Sequence, residues 1–251
     1  MKTISIISLA AFCIVAHPLM AEPINAISFS GKNNSYIQTP PGATYDSENF
    51  SFFAWVKFQP GENPPKSANL AGRWDMQASI FALCYGDNGV WSLFHKEGAD
   101  VVSNRTQKPI TILKNPFGLV PFRWTFVGVV VDGNTVTVHS GDNQESREVA
   151  LAFKETIGRD NNIPFRIGGG LNVHGTSFKG EMIDISYWGR AVTAQELALI
   201  RNRKLTGKEP GLAFYYTPAS KDDNAVTVVK DQGPKQVDGK LMNAEWVVSD
   251  F

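Results

Sequence analysis

The sequence predicts an all-β chain: an antiparallel sandwich of two sheets with one short helix near its C-terminal third. Two observations lead to this. Short apolar and β-branched runs alternate with Gly, Asn, Asp and Pro clusters along most of the chain, as half-buried strands joined by tight turns do. Only one segment reads clearly at the helical period, and many strands with one small helix make a sandwich.

Residues 1–21, "MKTISIISLAAFCIVAHPLMA", come first and are set apart as a signal peptide. Lys2 precedes an apolar run from Ile4 to Ala16, Pro18 breaks it, and Ala21 supplies the small residue before cleavage. That run falls short of the roughly 20 residues a membrane span needs, and no later segment approaches that length. The expectation is a secreted or periplasmic protein with no transmembrane segment, its mature domain covering residues 22–251.

Candidate strands follow in order: "AISFS", "SYIQT", "FSFFAWVKF", "SIFALCYG", "VWSLFHK", "FRWTFVGVVVD", "TVTVHS", "REVALAF", "FRIGG", "GEMIDISYWG", "LAFYYTP" and "AEWVVS". In "FSFFAWVKF" a period of two puts Phe50, Phe52, Ala54, Val56 and Phe58 on one face and Phe53 and Trp55 on the other, so this strand should be covered on both sides. Asp132-Gly133 and Asn88-Gly89 suit the positive φ of hairpin turns. The helix follows "YWGRAV": Thr193 caps it, Glu196 completes a capping box, Leu197 and Ile200 share a face, and it ends near Asn202.

Composition narrows the function. With the signal removed, Cys84 is the sole cysteine, so no internal disulfide forms; it lies among apolar neighbours and reads as a core thiol. The net charge is +0 with scattered Lys and Arg, which gives no footprint for nucleic acid. His95, His139 and His174 stand alone, without zinc spacing, and no Gly-x-Ser-x-Gly elbow occurs.

Several segments, in order, resemble the laminin G-like, concanavalin A-like jelly-roll domains related to pentraxins and abundant in secreted bacterial proteins. They are "ISFSGKNNSYIQTPP", "FSFFAWVKF", "NLAGRWDMQASIFALCYGDNGVWSLF", "FRWTFVGVVVDGNTVTVHSGD", "FRIGGG", "FKGEMIDISYWGRAVTAQEL" and the tail ending "GKLMNAEWV". The resemblance covers nearly the whole mature chain and implies a jelly-roll β-sandwich. This fold hosts lectins, glycosidases, lyases and structural modules alike.

Glu181 and Asp184 are the acids that invite a catalytic reading. Being three apart on a strand, they should face opposite sides, unlike the paired carboxylates of a retaining glycosidase. In members of the resembling family the acid at Asp184 lies near the opening segment, where some hold calcium. That implies a calcium site built from Asp184, Asn34 and backbone oxygens, although Ser30 stands where the family usually has Asp. The alternative is a structural Asp184, bonded to backbone amides or paired with Arg190. Sugar recognition needs flat aromatic faces beside planar polar groups, so Arg73, Trp74, Asp75, Asn172 and His174 in their loops are the ligand candidates, with structural packing as the other reading of Trp74.

The expected role is non-catalytic binding of a glycan or cell-surface polysaccharide. A structural or protein-interaction module is the alternative, and a carbohydrate-active hydrolase or lyase is a third reading. No nucleic-acid partner is expected.

Overall fold

The computed structural model describes residues 23–42, 47, 49–60, 67–73, 81–86, 89–94, 110–111, 119–133, 135–148, 163–171 and 176–251. The expected signal peptide lies outside them. In chain order the strands are β1 (Pro23–Ser30), β2 (Tyr36–Gln38), β3 (Phe50–Phe58), β4 (Ser67–Arg73), β5 (Phe81–Gly86), β6 (Gly89–Phe94), β7 (Ile110–Thr111), β8 (Trp124–Asp132) and β9 (Thr135–Ser140). They continue with β10 (Asn143–Glu148), β11 (Arg166–Ile167), β12 (Thr176–Ser177) and β13 (Lys179–Trp188). After helix α1 (Ala194–Arg201) come β14 (Leu212–Tyr216), β15 (Val228–Val229), β16 (Gly239–Met242) and β17 (Glu245–Asp250).

The first sheet has the order β10-β9-β8-β3-β13-β1-β17, with β14 also paired to β13. The second has the order β15-β16-β2-β11-β4-β5-β6-β7, with β12 lying parallel to β4. The two sheets form the expected jelly-roll sandwich, and α1 is the one α-helix among the described residues.

Alternation along β3 works as its sequence predicts. Phe50, Phe52, Ala54, Val56 and Phe58 enter the core between the sheets, where Phe52 meets Phe165 at 5.5 Å between ring centroids. Phe53 and Trp55 face the other way and join Phe126, Trp188, Leu212 and Tyr215 in a second apolar layer. Helix α1 covers that layer with Leu197 and Ile200. Its N-terminus carries the full capping box, with Thr193 Oγ1 accepting from the Glu196 amide at 3.2 Å and the Glu196 carboxylate accepting from the Thr193 amide at 2.8 Å. Arg190 grips the same carboxylate with two N–H donors, which together hold Glu196 down at about 2.

The hairpins follow their turn residues. Gly133, with φ of 58°, joins β8 to β9, and Gly86 pairs with Gly89 where β5 meets β6; Asn88 lies outside the described residues. Cys84 is buried and donates to Asn69 Oδ1 at 3.2 Å, and burial pushes its thiol far up, so it is an inert thiol rather than a nucleophile.

Candidate functional site

The residues singled out in the sequence do not assemble into one place. Trp74, Asp75, Asn172 and His174 lie outside the described residues. Arg73 ends β4, is 1% exposed, and donates from Nε to the Ile163 carbonyl at 3.1 Å. Asn34 is exposed in the β1–β2 turn, where its carbonyl accepts from Asn243 Nδ2 at 3.0 Å. Ser30, just before that turn, pairs with Lys179, and Asp184 lies five residues further along β13, a run of roughly 16 Å. Asn34 and Asp184 therefore do not meet.

Asp184 departs from the simple alternation in an instructive way. Ile183 pairs with Trp55 and Ser186 with Phe53, so β13 carries one residue more than β3 across this step and bulges. The bulge falls where β13 changes neighbour: its first half pairs with β1 and its second with β14. Asp184 takes φ of 49° there, and the extra residue resets the phase of the strand. Met182, Ile185 and Tyr187 point into the core, while Glu181 and Asp184 both lie on the outer side of the first sheet. The expectation that these acids face opposite sides is corrected: a period of two holds only along an unbroken ladder.

Sharing a face does not make them a catalytic pair, because each is tied to its own partners. Lys57 Nζ stands 3.7 Å from Glu181 Oε2, a Coulombic contact too long for a hydrogen bond. Asp184, 5% exposed, is ion-paired with Arg203 and accepts from the Tyr215 hydroxyl at 3.2 Å. Arg203, not Arg190, is thus its cation. Burial pushes the Asp184 carboxyl up, against the opposing pull of Arg203 and Tyr215. Both carboxylate oxygens are engaged, and among the described residues no three His, Cys, Asp or Glu side chains gather, so this donor set does not fit calcium.

A different site emerges on the outer side of the first sheet. A groove of 710 Å³ runs between β3, β8, the β9–β10 turn and the end of α1. Trp55 and Phe126 line it, their rings edge to face at 5.6 Å, and Trp124 joins from the start of β8. Phe251 meets both tryptophans, 5.3 Å from Trp55 and 5.5 Å from Trp124 between centroids. Polar groups form the rim: Arg123, Thr125, Asp142, Asn143, Arg201 and Asn202. Arg201 is held in place by donating to the Gly141 carbonyl at 2.6 Å, with its guanidinium 4.7 Å from the centre of Phe126. Among the described residues, Trp55 Nε1 is buried without a hydrogen-bond partner. A buried indole N–H ordinarily finds an acceptor, so this one is an exception. The sequence pointed to loops as the place for aromatic and polar groups. It did predict Trp55 on the second face of its strand, which is the one signal that leads here.

Two antiparallel sheets around one core, with a groove on an outer sheet face, define a jelly-roll β-sandwich. The chain belongs to the Concanavalin A-like lectin/glucanases superfamily, whose laminin G-type family model matches residues 30–198. Among solved structures it is similar to a candidate carbohydrate-binding protein from Bacteroides ovatus, with 19% identity and a TM-score of 0.60. That match covers 93% of this chain and 61% of the Bacteroides chain. A heptameric pentraxin of Limulus polyphemus follows at 15% identity and a TM-score of 0.48, covering 91% of this chain and 93% of that one. Domains LG4-5 of the mouse laminin alpha1 chain match at 15% identity and 0.48, covering 70% and 45%. At these identities the likeness is one of fold. No curated protein matches the chain by sequence.

Proposed function

We propose that this protein is a non-catalytic carbohydrate-binding module that holds a glycan in the groove between β3, β8, the β9–β10 turn and α1. The observation that carries this reading is the groove itself: tryptophans that can stack on sugar C–H faces and a rim of planar amides and guanidinium groups. The superfamily and the likeness to a candidate carbohydrate-binding protein support the same class of ligand. Among the described residues Asp142 is the one carboxylate lining the groove, so the reading assigns it a hydrogen-bonding role; hydrolysis by the usual route takes two carboxyl groups flanking the bond. Delivery outside the cytoplasm by residues 1–21 belongs to the same proposal, and N-terminal sequencing of the exported protein checks it.

The test is glycan-array binding of residues 22–251, in calcium and in chelator, for wild type and Trp124→Ala. Selective binding is expected, weakened at least roughly 10-fold by Trp124→Ala. With a single carboxylate at the groove, binding should persist in chelator. Selective binding that is indifferent to both Trp124→Ala and Trp55→Phe would move the ligand elsewhere, and no binding to any glycan would remove the reading.

A further inference from the structure

The outward side of the second sheet carries another concavity, of 250 Å³, lined by Asn33, Asn34, Tyr36, Arg166 and Gly170. Ile37 and Ile167 point into the core, so their neighbours Tyr36, Gln38 and Arg166 point out of the sandwich, away from the groove described above. Arg166 is held on three sides. Its Nε donates to Gln38 Oε1 at 3.3 Å, its Nη1 donates to the Gly170 carbonyl, and its guanidinium lies 5.3 Å from the centre of the Tyr36 ring. Gly170 has φ of 72°, and a Cβ there would stand 2.7 Å from the Tyr36 ring, so glycine lets the loop approach closely enough to tether the arginine.

All three of these partners are neutral. Among the described residues no carboxylate pairs with Arg166, and none lines the concavity. A guanidinium carries more N–H donors than these contacts use, so among the described residues Nη2 and one N–H of Nη1 stay open. A positioned, uncompensated planar fork matches a planar carboxylate and has little rotamer freedom left to lose on binding it.

We propose that this concavity is a second ligand site, which takes the carboxylate of an acidic sugar residue on Arg166, with the Asn33 and Asn34 side chains at its edge. The choice of a carboxylate stands on Arg166 and its neutral surroundings; that a sugar carries it rests on the glycan-binding reading above.

The experiment is calorimetric titration of residues 22–251 with a trimer of galacturonic acid, a hyaluronan tetrasaccharide and sialyllactose, each beside its methyl-esterified form. For at least one of them the free acid should bind about 10-fold more tightly than its ester. Arg166→Gln should abolish that ratio, and Arg166→Lys, which keeps charge and stem but loses the fork, should remove most of it. Melting curves verify that both variants fold. Trp124→Ala, in the groove, should leave the ratio intact. Equal affinity for acid and ester in the wild type would overturn the second site while leaving the groove reading standing. A ratio that survives both Arg166 variants, or that disappears in Arg123→Gln instead, would overturn it too, the latter by placing the carboxylate in the groove. Absence of binding to any saccharide, acidic or neutral, would end both proposals.

Discussion

His139 shows how a single side chain couples the groove to pH. It is 2% exposed, its ring centre lies 5.9 Å from that of Phe53, and its Nδ1 accepts from Arg201 Nη2 at 3.4 Å. Burial first, and then the Arg201 charge, lower its pKa to about 4, so the folded protein keeps it neutral. The unfolded chain takes up that proton near pH 6.5. The stabilisation is therefore complete above about 6.5 and is lost as the pH falls toward 4, amounting to roughly 2–3 kcal/mol across the window. Melting temperature measured from pH 7.5 to 4 should fall through this range, and His139→Gln should flatten the fall. A profile as steep in the variant as in the wild type would assign the transition to other groups. Because Arg201 both lines the groove and donates to His139, glycan affinity of the folded protein should hold down the pH scale and weaken only near pH 4, where His139 itself takes up a proton.

At the scale of elements, β13 carries the most informative detail. Its bulge requires a residue that tolerates the left-handed region, and Asp and Asn do so more readily than other non-glycine residues. Burial disfavours the charged form of Asp184, so Asp184→Asn, which resembles the neutral acid and can still accept from Tyr215, should stay within about 1 kcal/mol of wild type by thermal unfolding. Asp184→Val, β-branched and without an acceptor, should cost about 2–4 kcal/mol. Equal losses in the two variants would mean that the charge on Arg203, rather than the backbone, sets the requirement. This element also marks how far the sequence could be read. Strand β3, the Gly133 turn and the Thr193–Glu196 capping box were legible because each rests on neighbours in sequence. The bulge was not, since it arises where β13 exchanges β1 for β14, and pairing between distant segments leaves no local signature. For the same reason Arg203, which follows the helix, could not be foreseen as the partner of Asp184.

At the scale of the whole molecule, the fold was legible because strand periodicity and turn residues recur along the chain, whereas the groove gathers Trp55, Trp124, Asp142 and Arg201 from four separate elements. Residues so distant come together only once the sheet order is set. The ligand candidates legible in the sequence are neighbours in loops, whereas the groove's aromatic residues Trp55, Trp124 and Phe126 are strand residues on the outward face of the first sheet. The arrangement of the two faces has a further consequence. The groove and the Arg166 concavity open on opposite sides of one sandwich, so under the two proposals above one copy of the domain would grip two polysaccharide strands at once, like a rivet through two sheets of cloth. Such a monomer would cross-link an acidic polymer without oligomerising, and avidity would rise with polymer length. Light scattering of protein mixed with long-chain polygalacturonate should then peak at an intermediate protein-to-polymer ratio, and should collapse when either Trp124 or Arg166 is replaced.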